Sequence, residues 1–440
     1  MKISGVKPLK KKILVVLFLS ALSIQCAVTA CWQNHKKQSE IIPDNTTSFY
    51  YIRARDYKKP SNRVRTEAGK VLIEAINSAE NTIDFAFYGL SQQNEILNAL
   101  LKAQKRGVKI RGIIDLNTYG KNDYFGTIKS ISKFKKGIVK TDYKSDIAKK
   151  ERLKNNKSIS FSNQNFKGHI MHNKFCIIDK KYVWTGTANI SSTGTGGYNE
   201  NVVLLINSEK IADIYTQEMD EMYENEHFHE DKREIYTPNP IFVGDVETSV
   251  YFSPTTHAFN EGIIPVIKNA KKYIYVSIFL ISNRKIKQEL IDAKARGVDV
   301  KVITEANHAK QKYSLHEKMR DANIPVKVEN WGGKMHSKMA IIDDNTVIIG
   351  STNWSSTAFY HNDENLLILK NTPQNAIALR KEFEQSYNNI PDKWLYENPN
   401  PEGPDSIGSC EDGIDNDHNR LVDRKDPNCK PKYLKLINKF

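Results

Sequence analysis

The chain of 440 residues is 39% hydrophobic and 26% charged, which excludes a disordered polyelectrolyte and leaves room for one large core or two medium ones. Its formal charge of +14 suits an anionic partner or surface, though charge alone does not name it. Residues 1–30 carry five lysines (Lys2, Lys7, Lys10, Lys11 and Lys12) and no acid. They run into ILVVLFLSALSI (13–24), too short for a comfortable membrane span, so the stretch reads as an export signal outside the fold. Its removal leaves 14 − 5 = +9.

The signal closes on VTAC (28–31), which resembles the bacterial lipobox. The resemblance implies that Cys31 is acylated, becomes the new N-terminus and anchors the protein to the cell envelope; ordinary cleavage leaving a stray thiol is the alternative. Trp32, where lipoprotein sorting would otherwise meet Asp, implies an outer-membrane address in a two-membrane cell. Export permits disulfides. Besides Cys26 and Cys31, Cys410 and Cys429 are natural partners, and Cys176 in FCII reads as a small buried hydrophobe. Residues 31–60 read as a linker.

The body is a tandem duplication. AINSAENTIDFAFYGL (75–90) parallels VIKNAKKYIYVSIFLI (266–281), and ALLKAQKRGVKIRGIID (99–115) parallels ELIDAKARGVDVKVITE (289–305). In each copy an alternating apolar strand is followed by a helix ending at Gly107 or Gly297, residues suited to a left-handed C-cap, and then by another strand. The expected fold is therefore α/β, with duplicated halves at 61–240 and 241–395, each a helix-covered sheet. Gly107 to His172 spans 65 positions and Gly297 to His336 spans 39, so the first half carries 26 extra residues. They fall in the Lys-rich stretch 117–166, which either touches substrate or is a solvated excursion.

Each half carries one copy of a further motif, MHNKFCIID (171–179) and MHSKMAIID (335–343). Side chains alternate on an extended strand, so His172 and Lys174 share a face about 7 Å apart, as do His336 and Lys338. Asn173 and Ser337 point away. FCII and MAII bury the strands, and Asp179 and Asp343 end them before hairpin-like reversals. A next strand delivers GTAN (186–189) or GSTN (350–353), then NENVVLLI (199–206) or DENLLILK (363–370). HEKMRD (316–321) also has His and Lys two apart, but the Asp spacing is wrong and the segment reads as a helix, which predicts a surface His316.

The pattern H-x-K-x-x-x-x-D, then Gly-small-x-Asn and a later Glu, resembles the phospholipase D superfamily over roughly 60–390. Both copies are complete: His172, Lys174, Asp179, Gly186, Asn189 and Glu200, then His336, Lys338, Asp343, Gly350, Asn353 and Glu364. A phosphodiester is anionic and repels nucleophiles. Lys174 and Lys338 with amides from Asn189 and Asn353 would offset its charge, one neutral imidazole would attack phosphorus, and a protonated one would release the leaving oxygen. No cofactor is then needed for catalysis. The resemblance further implies a pseudo-twofold pairing of the halves around one shared site, His172 as nucleophile through a phosphohistidine, and His336 as acid. Glu200 and Glu364 are expected to accept from the far ring nitrogens, and Asp179 and Asp343 to brace the motif rather than touch phosphate.

The family covers phospholipases, phospholipid synthases and metal-independent nucleases, and the fold does not choose among them. Export and acylation favour a phospholipid substrate; the charge of about +9 and KFKKGIVK (133–140) suit a nucleic acid, and anionic lipid would also be attracted. A non-catalytic lipoprotein that binds anionic ligands is a third reading. From 396 the chain turns to a Pro/Gly linker and an Asp-rich loop between Cys410 and Cys429. Asp415, Asp417, Asn419, Asp423 and Asp426 fall at positions 1, 3, 5, 9 and 12 of a calcium loop, with the Leu421 carbonyl at 7. Arg420 stands where an EF-hand wants Gly, so a structural calcium and a simple disulfide-closed acidic loop both stay open, in either case as a satellite of the catalytic site.

Overall fold

The computed structural model describes residues 41–118, 126–142 and 169–430. The export signal, Cys31 and residues 119–125 and 143–166 of the Lys-rich insertion lie outside the described residues. Among the described residues no helix is long and apolar enough to cross a membrane.

The first half runs β1 (Thr46–Ile52), α1 (Glu67–Ser78), β2 (Thr82–Phe87), α2 (Asn94–Arg106), β3 (Lys109–Ile114), α3 (Thr127–Ile131), β4 (Val139–Thr141), β5 (Lys174–Ile178), β6 (Tyr182–Gly186), β7 (Asn201–Asn207) and α4 (Glu209–Tyr223). The second runs β8 (Ile241–Val243), β9 (Val246–Ser253), α5 (Ile264–Asn269), β10 (Tyr273–Ile278), α6 (Arg284–Ala295), β11 (Asp299–Thr304), α7 (Ala306–Ala309), α8 (His316–Asp321), β12 (Val326–Val328), β13 (Lys338–Ile342), β14 (Thr346–Gly350), α9 (Ser356–Tyr360), β15 (Glu364–Lys370) and α10 (Pro373–Asn389). Among the described residues the strands form a seven-stranded sheet, β1-β7-β6-β5-β2-β3-β4, and an eight-stranded one, β12-β11-β10-β13-β14-β15-β9-β8. With β9 matched to β1, the second order repeats the first from the opposite end, so the duplication in sequence is a duplication in topology.

Local chemistry explains the elements. Thr66 caps α1 by accepting from Gly69 N at 3.1 Å, and Asn283 caps α6 by accepting from Lys285 N and Ile286 N. Gly107 ends α2 at φ +95° and Gly297 follows α6 at φ +90°, where a side chain would be strained. Strands β5 and β13 are buried throughout, as central strands covered on both faces must be. One hydrophobic core joins the halves: Tyr215 of α4 packs edge-on against Phe175 of the first sheet and Phe252 of the second, each at 5.1 Å.

Several expectations need correction. Residues 46–52 are not linker but edge strand β1, in register with β7 from Thr46↔Asn207 to Ile52↔Asn201, and Arg53 then grips Glu382 of the other half through Nε at 2.6 Å. Within the Lys-rich insertion, residues 126–142 build α3 and β4; Phe134 is buried, and Lys140 is committed to Glu226 at 3.0 Å and to the Tyr223 ring, leaving Lys133, Lys135 and Lys136 exposed. His316 does begin a helix, yet it is buried, with Ser314 on Nδ1 at 2.9 Å and Asn398 on Nε2 at 3.1 Å. The C-terminal segment is no satellite either. Ile407 pairs with Trp331, and Tyr198 donates to Asp412, so the Cys410–Cys429 loop sits on the stretch that leads to His336.

Candidate active site

Each His-Lys pair is set at the head of a buried strand, and each strand's approach is fixed by the other half. His172 N donates to Asp363 O at 2.8 Å, and Met171 bridges Asp363 in parallel. Reciprocally, His336 N donates to Glu200 O at 3.0 Å, and Met335 bridges Glu200. Lys174 Nζ then donates to His172 O at 2.6 Å and Lys338 Nζ to His336 O at 2.5 Å, so both ammonium groups are folded back beside their imidazoles. Gly186 and Gly350 are needed because a Cβ there would come within 2.4 Å of Val202 O and 2.2 Å of Asn365 O. Asn189 and Asn353 follow them, each with a buried Oδ1 that finds no partner.

The two histidines are not held alike. Nδ1 of His172 lies 2.8 Å from Glu364 Oε2; a carboxylate only accepts, so that nitrogen carries the proton and Nε2 keeps its lone pair. Nδ1 of His336 instead faces Asn201 Oδ1 at 2.9 Å. Glu200, the expected partner, is turned away to accept from Tyr51 Oη at 2.7 Å and Ser386 Oγ at 2.9 Å. The cause is register. Gly186 pairs with Val203 but Gly350 with Leu366, so the structural mate of Glu364 is Asn201 and that of Asp363 is Glu200. A shift of one residue swaps faces on a strand, which puts the Glu200 carboxylate on the wrong one.

Asp179 and Asp343 lie at the far ends of β5 and β13. Asp179 accepts from the N–H groups of Glu80, Asn81 and Thr82, and Asp343 from those of Lys271, Lys272 and Tyr273. They brace the hairpins and do not belong among the reacting groups.

Two residues at the site were missed. Tyr88 lies 5.0 Å edge-on to the His172 ring and under Lys174, and Phe279 lies 4.9 Å from the His336 ring and under Lys338. Both occupy the fourteenth position of the paired repeats AINSAENTIDFAFYGL and VIKNAKKYIYVSIFLI, so the matching aromatics were the signal. Asn201 had no such signal.

Electrostatically the site gathers buried bases whose protonated forms an anion would stabilise. Burial pushes His172 down to about 4 against the pull of Glu364, with Lys174 and Lys338 adding to the depression. Burial likewise pushes Lys174 down to about 7. His336 and Lys338 are driven well below their ordinary values, first by burial and then by the cations of both halves. Each histidine is held by a side chain of the other half, His172 by Glu364 and His336 by Asn201, so the two motifs form one shared site. His336 is therefore unprotonated in the free protein and must gain a proton when an anion arrives. Titrating sulfate at pH 7 in buffers of different ionisation enthalpy is expected to reveal net proton uptake, shared by His336, Lys174 and Lys338 and smaller in His336→Ala, and kcat/KM is expected to fall as pH rises toward 8. Equal proton uptake by the intact protein and by His336→Ala would rule out this account of His336.

Two α/β halves whose His-Lys strands are each held by the other half, His172 on Glu364 and His336 on Asn201, form a site suited to phosphodiester chemistry. The chain belongs to the phospholipase D superfamily: residues 72–223 and 263–387 match the family model described as cardiolipin synthase, PLD-like domain. It is 34% identical over 124 residues to a phospholipase D of Rickettsia bellii, covering 28% of this chain and 61% of that protein. It is 31% identical over 147 residues to the mitochondrial cardiolipin hydrolase of Xenopus laevis, covering 32% of this chain and 69% of that one. The crystal structure of phosphatidylserine synthase from Haemophilus influenzae is similar in fold over 81% of this chain and 92% of its own, with 13% identity and a TM-score of 0.55.

Proposed function

We propose that the protein is a phosphodiesterase of the phospholipase D type that hydrolyses phospholipid headgroups. The observation that carries this is the unequal pairing of two converging histidines, His172 on Glu364 and His336 on Asn201. Glu364 raises the basicity of His172 and stabilises the cation that forms as its Nε2 attacks phosphorus. As the P–N bond forms and the bond to the leaving oxygen breaks, the Nε2 proton of His336 passes to that oxygen. Neutral His336 next takes a proton from water, whose oxygen attacks phosphorus and frees His172. Lys174, Lys338 and the amides of Asn189 and Asn353 hold the phosphoryl oxygens throughout, and no cofactor enters the reaction.

The substrate class is tested by offering the soluble protein phosphatidylglycerol or phosphatidylcholine vesicles and, separately, single- and double-stranded DNA. Headgroup release with phosphatidic acid formed is expected. Cleaved DNA with intact lipid would replace the lipid reading with that of an anchored nuclease, and neither reaction would leave a non-catalytic anion binder.

We further propose export and acylation at Cys31, which would place this site beside a bilayer. Cys31→Ser is expected to move the protein from the membrane fraction to the soluble one; an unchanged distribution would exclude the anchor.

For the C-terminal loop we propose a cation held by a set different from the six expected ligands. Asp415 and Asp417 converge with Glu402, which the sequence reading missed. All of these carboxylates accept hydrogen bonds within the loop, Asp423 from Asp412 N and Gly413 N, Asp426 from Asn419 and Asn428, and Glu402 from Asn416 N and Asp423 N, so it is the convergence of oxygens that selects the set. Glu402, pushed by burial up to about 7, has the most to gain from a bound calcium.

A further inference from the structure

We propose that His169, Glu230 and His361 form a site for a divalent transition metal, such as zinc, that ties the two halves together beside the reacting groups. One ligating atom from each of the three lies within 4.8 Å of those of the other two. The convergence follows from the strand register. The parallel bridge Met171↔Asp363 sets His169 opposite His361, and their rings stack 5.0 Å apart with only 9° between planes. Glu230, carried on the short turn His229–Asp231, reaches the same point and already bonds His361 Nδ1. His229, the next residue, is itself anchored on Asp363 at 3.0 Å, so the turn is not free to swing away.

Two imidazoles and one carboxylate are a borderline donor set that suits zinc better than calcium or magnesium, which prefer oxygen. The three residues are exposed or half-buried, so water can complete the coordination. Binding replaces the contact between His361 Nδ1 and Glu230 with bonds from both groups to the metal.

The pseudo-twofold axis supplies the reason for a tie at this place. The mates of His169 and His361 are Gly333 and Tyr198, and that end of the site is already held, because Tyr198 donates to Asp412 of the disulfide-closed loop. At the opposite end the His-Glu-His cluster stands in the corresponding position. Two of its ligands lie three residues ahead of His172 and of Glu364, so a metal there would fix the paired segments 169–172 and 361–364. These are positioning residues, acting through the segments they would fix.

The test is calorimetric titration of ZnCl2 into the metal-stripped protein near neutral pH, with thermal melting alongside. The intact protein is expected to take up one tightly held equivalent and to melt higher with zinc. His361→Ala and Glu230→Gln should each weaken binding at least roughly tenfold, and Glu230→Gln, at an exposed position, should leave the metal-free melting temperature unchanged. Cobalt in place of zinc should give the intense visible bands of a tetrahedral site in the intact protein and not in the variants. Absence of zinc binding, or equal binding by the intact protein and both variants, would overturn the proposal and in the second case point to the acidic set at Glu402.

Discussion

Replacing His172 with alanine is expected to abolish turnover, a loss of roughly 10⁴-fold or more, because the covalent step loses the imidazole that Glu364 holds and activates. His336→Ala should fail differently. On a natural diester it too is nearly inactive, since the alkoxide leaves unprotonated. On a p-nitrophenyl diester the leaving group needs no acid, so His336→Ala should release one equivalent of nitrophenolate and then stall, with a phosphoryl adduct on His172 visible by mass spectrometry. The stall arises because His336 is also the base that activates water in the second step. The assignment of roles rests on Glu364 facing His172 at 2.8 Å and an uncharged amide facing His336. An adduct on His336 in the His172→Ala protein would reverse the order, and full activity in either variant would refute the mechanism.

What was legible in the sequence was whatever repeats. The duplication, the two His-Lys pairs and the glycine C-caps recur at matching offsets, and matching offsets survive without a structure. Register does not. Glu200 lies 14 positions after Gly186 and Glu364 lies 14 after Gly350, so the two look equivalent. The sheet disagrees, since Gly186 opposes Val203 while Gly350 opposes Leu366. One additional residue is taken up in the loop before β7, and linear spacing cannot show where a loop absorbs a residue. TTSFYYI (46–52) was passed over for a related reason: as an edge strand it is half-exposed, and its meaning comes from pairing with β7, some 150 positions later. His316 failed through tertiary context. The helix was correctly read, but the C-terminal segment brings Asn398 onto its Nε2 at 3.1 Å and covers what would have been an exposed face.

The second large effect runs in opposite directions for function and for stability: Lys174→Met is expected to abolish activity and to make the fold more stable. Lys174 is buried, and its ammonium is pushed from 10.5 to about 7, chiefly by loss of water. Each unit of such a shift corresponds to ~1.4 kcal/mol, and a methionine fills nearly the same volume without the charge. Part of the cost is offset in the native protein by the hydrogen bond to His172 O, so a net gain of about 1–4 kcal/mol is expected on replacement. The pH dependence provides the sign. Below about 7 Lys174 is protonated in both folded and unfolded chains, and the cost is fully present. Between about 7 and 10.5 the folded protein has released that proton and the unfolded chain has not, so the native protein gains stability as pH rises. Urea unfolding should therefore show the variant ahead at pH 6 by a margin that narrows toward pH 9. A variant less stable than the native protein at every pH would mean that Lys174 is an ordinary structural cation. The opposite outcome identifies a buried cation kept unstable for lack of an anion, and the binding of a phosphodiester is what removes that instability at the moment the chemistry needs it.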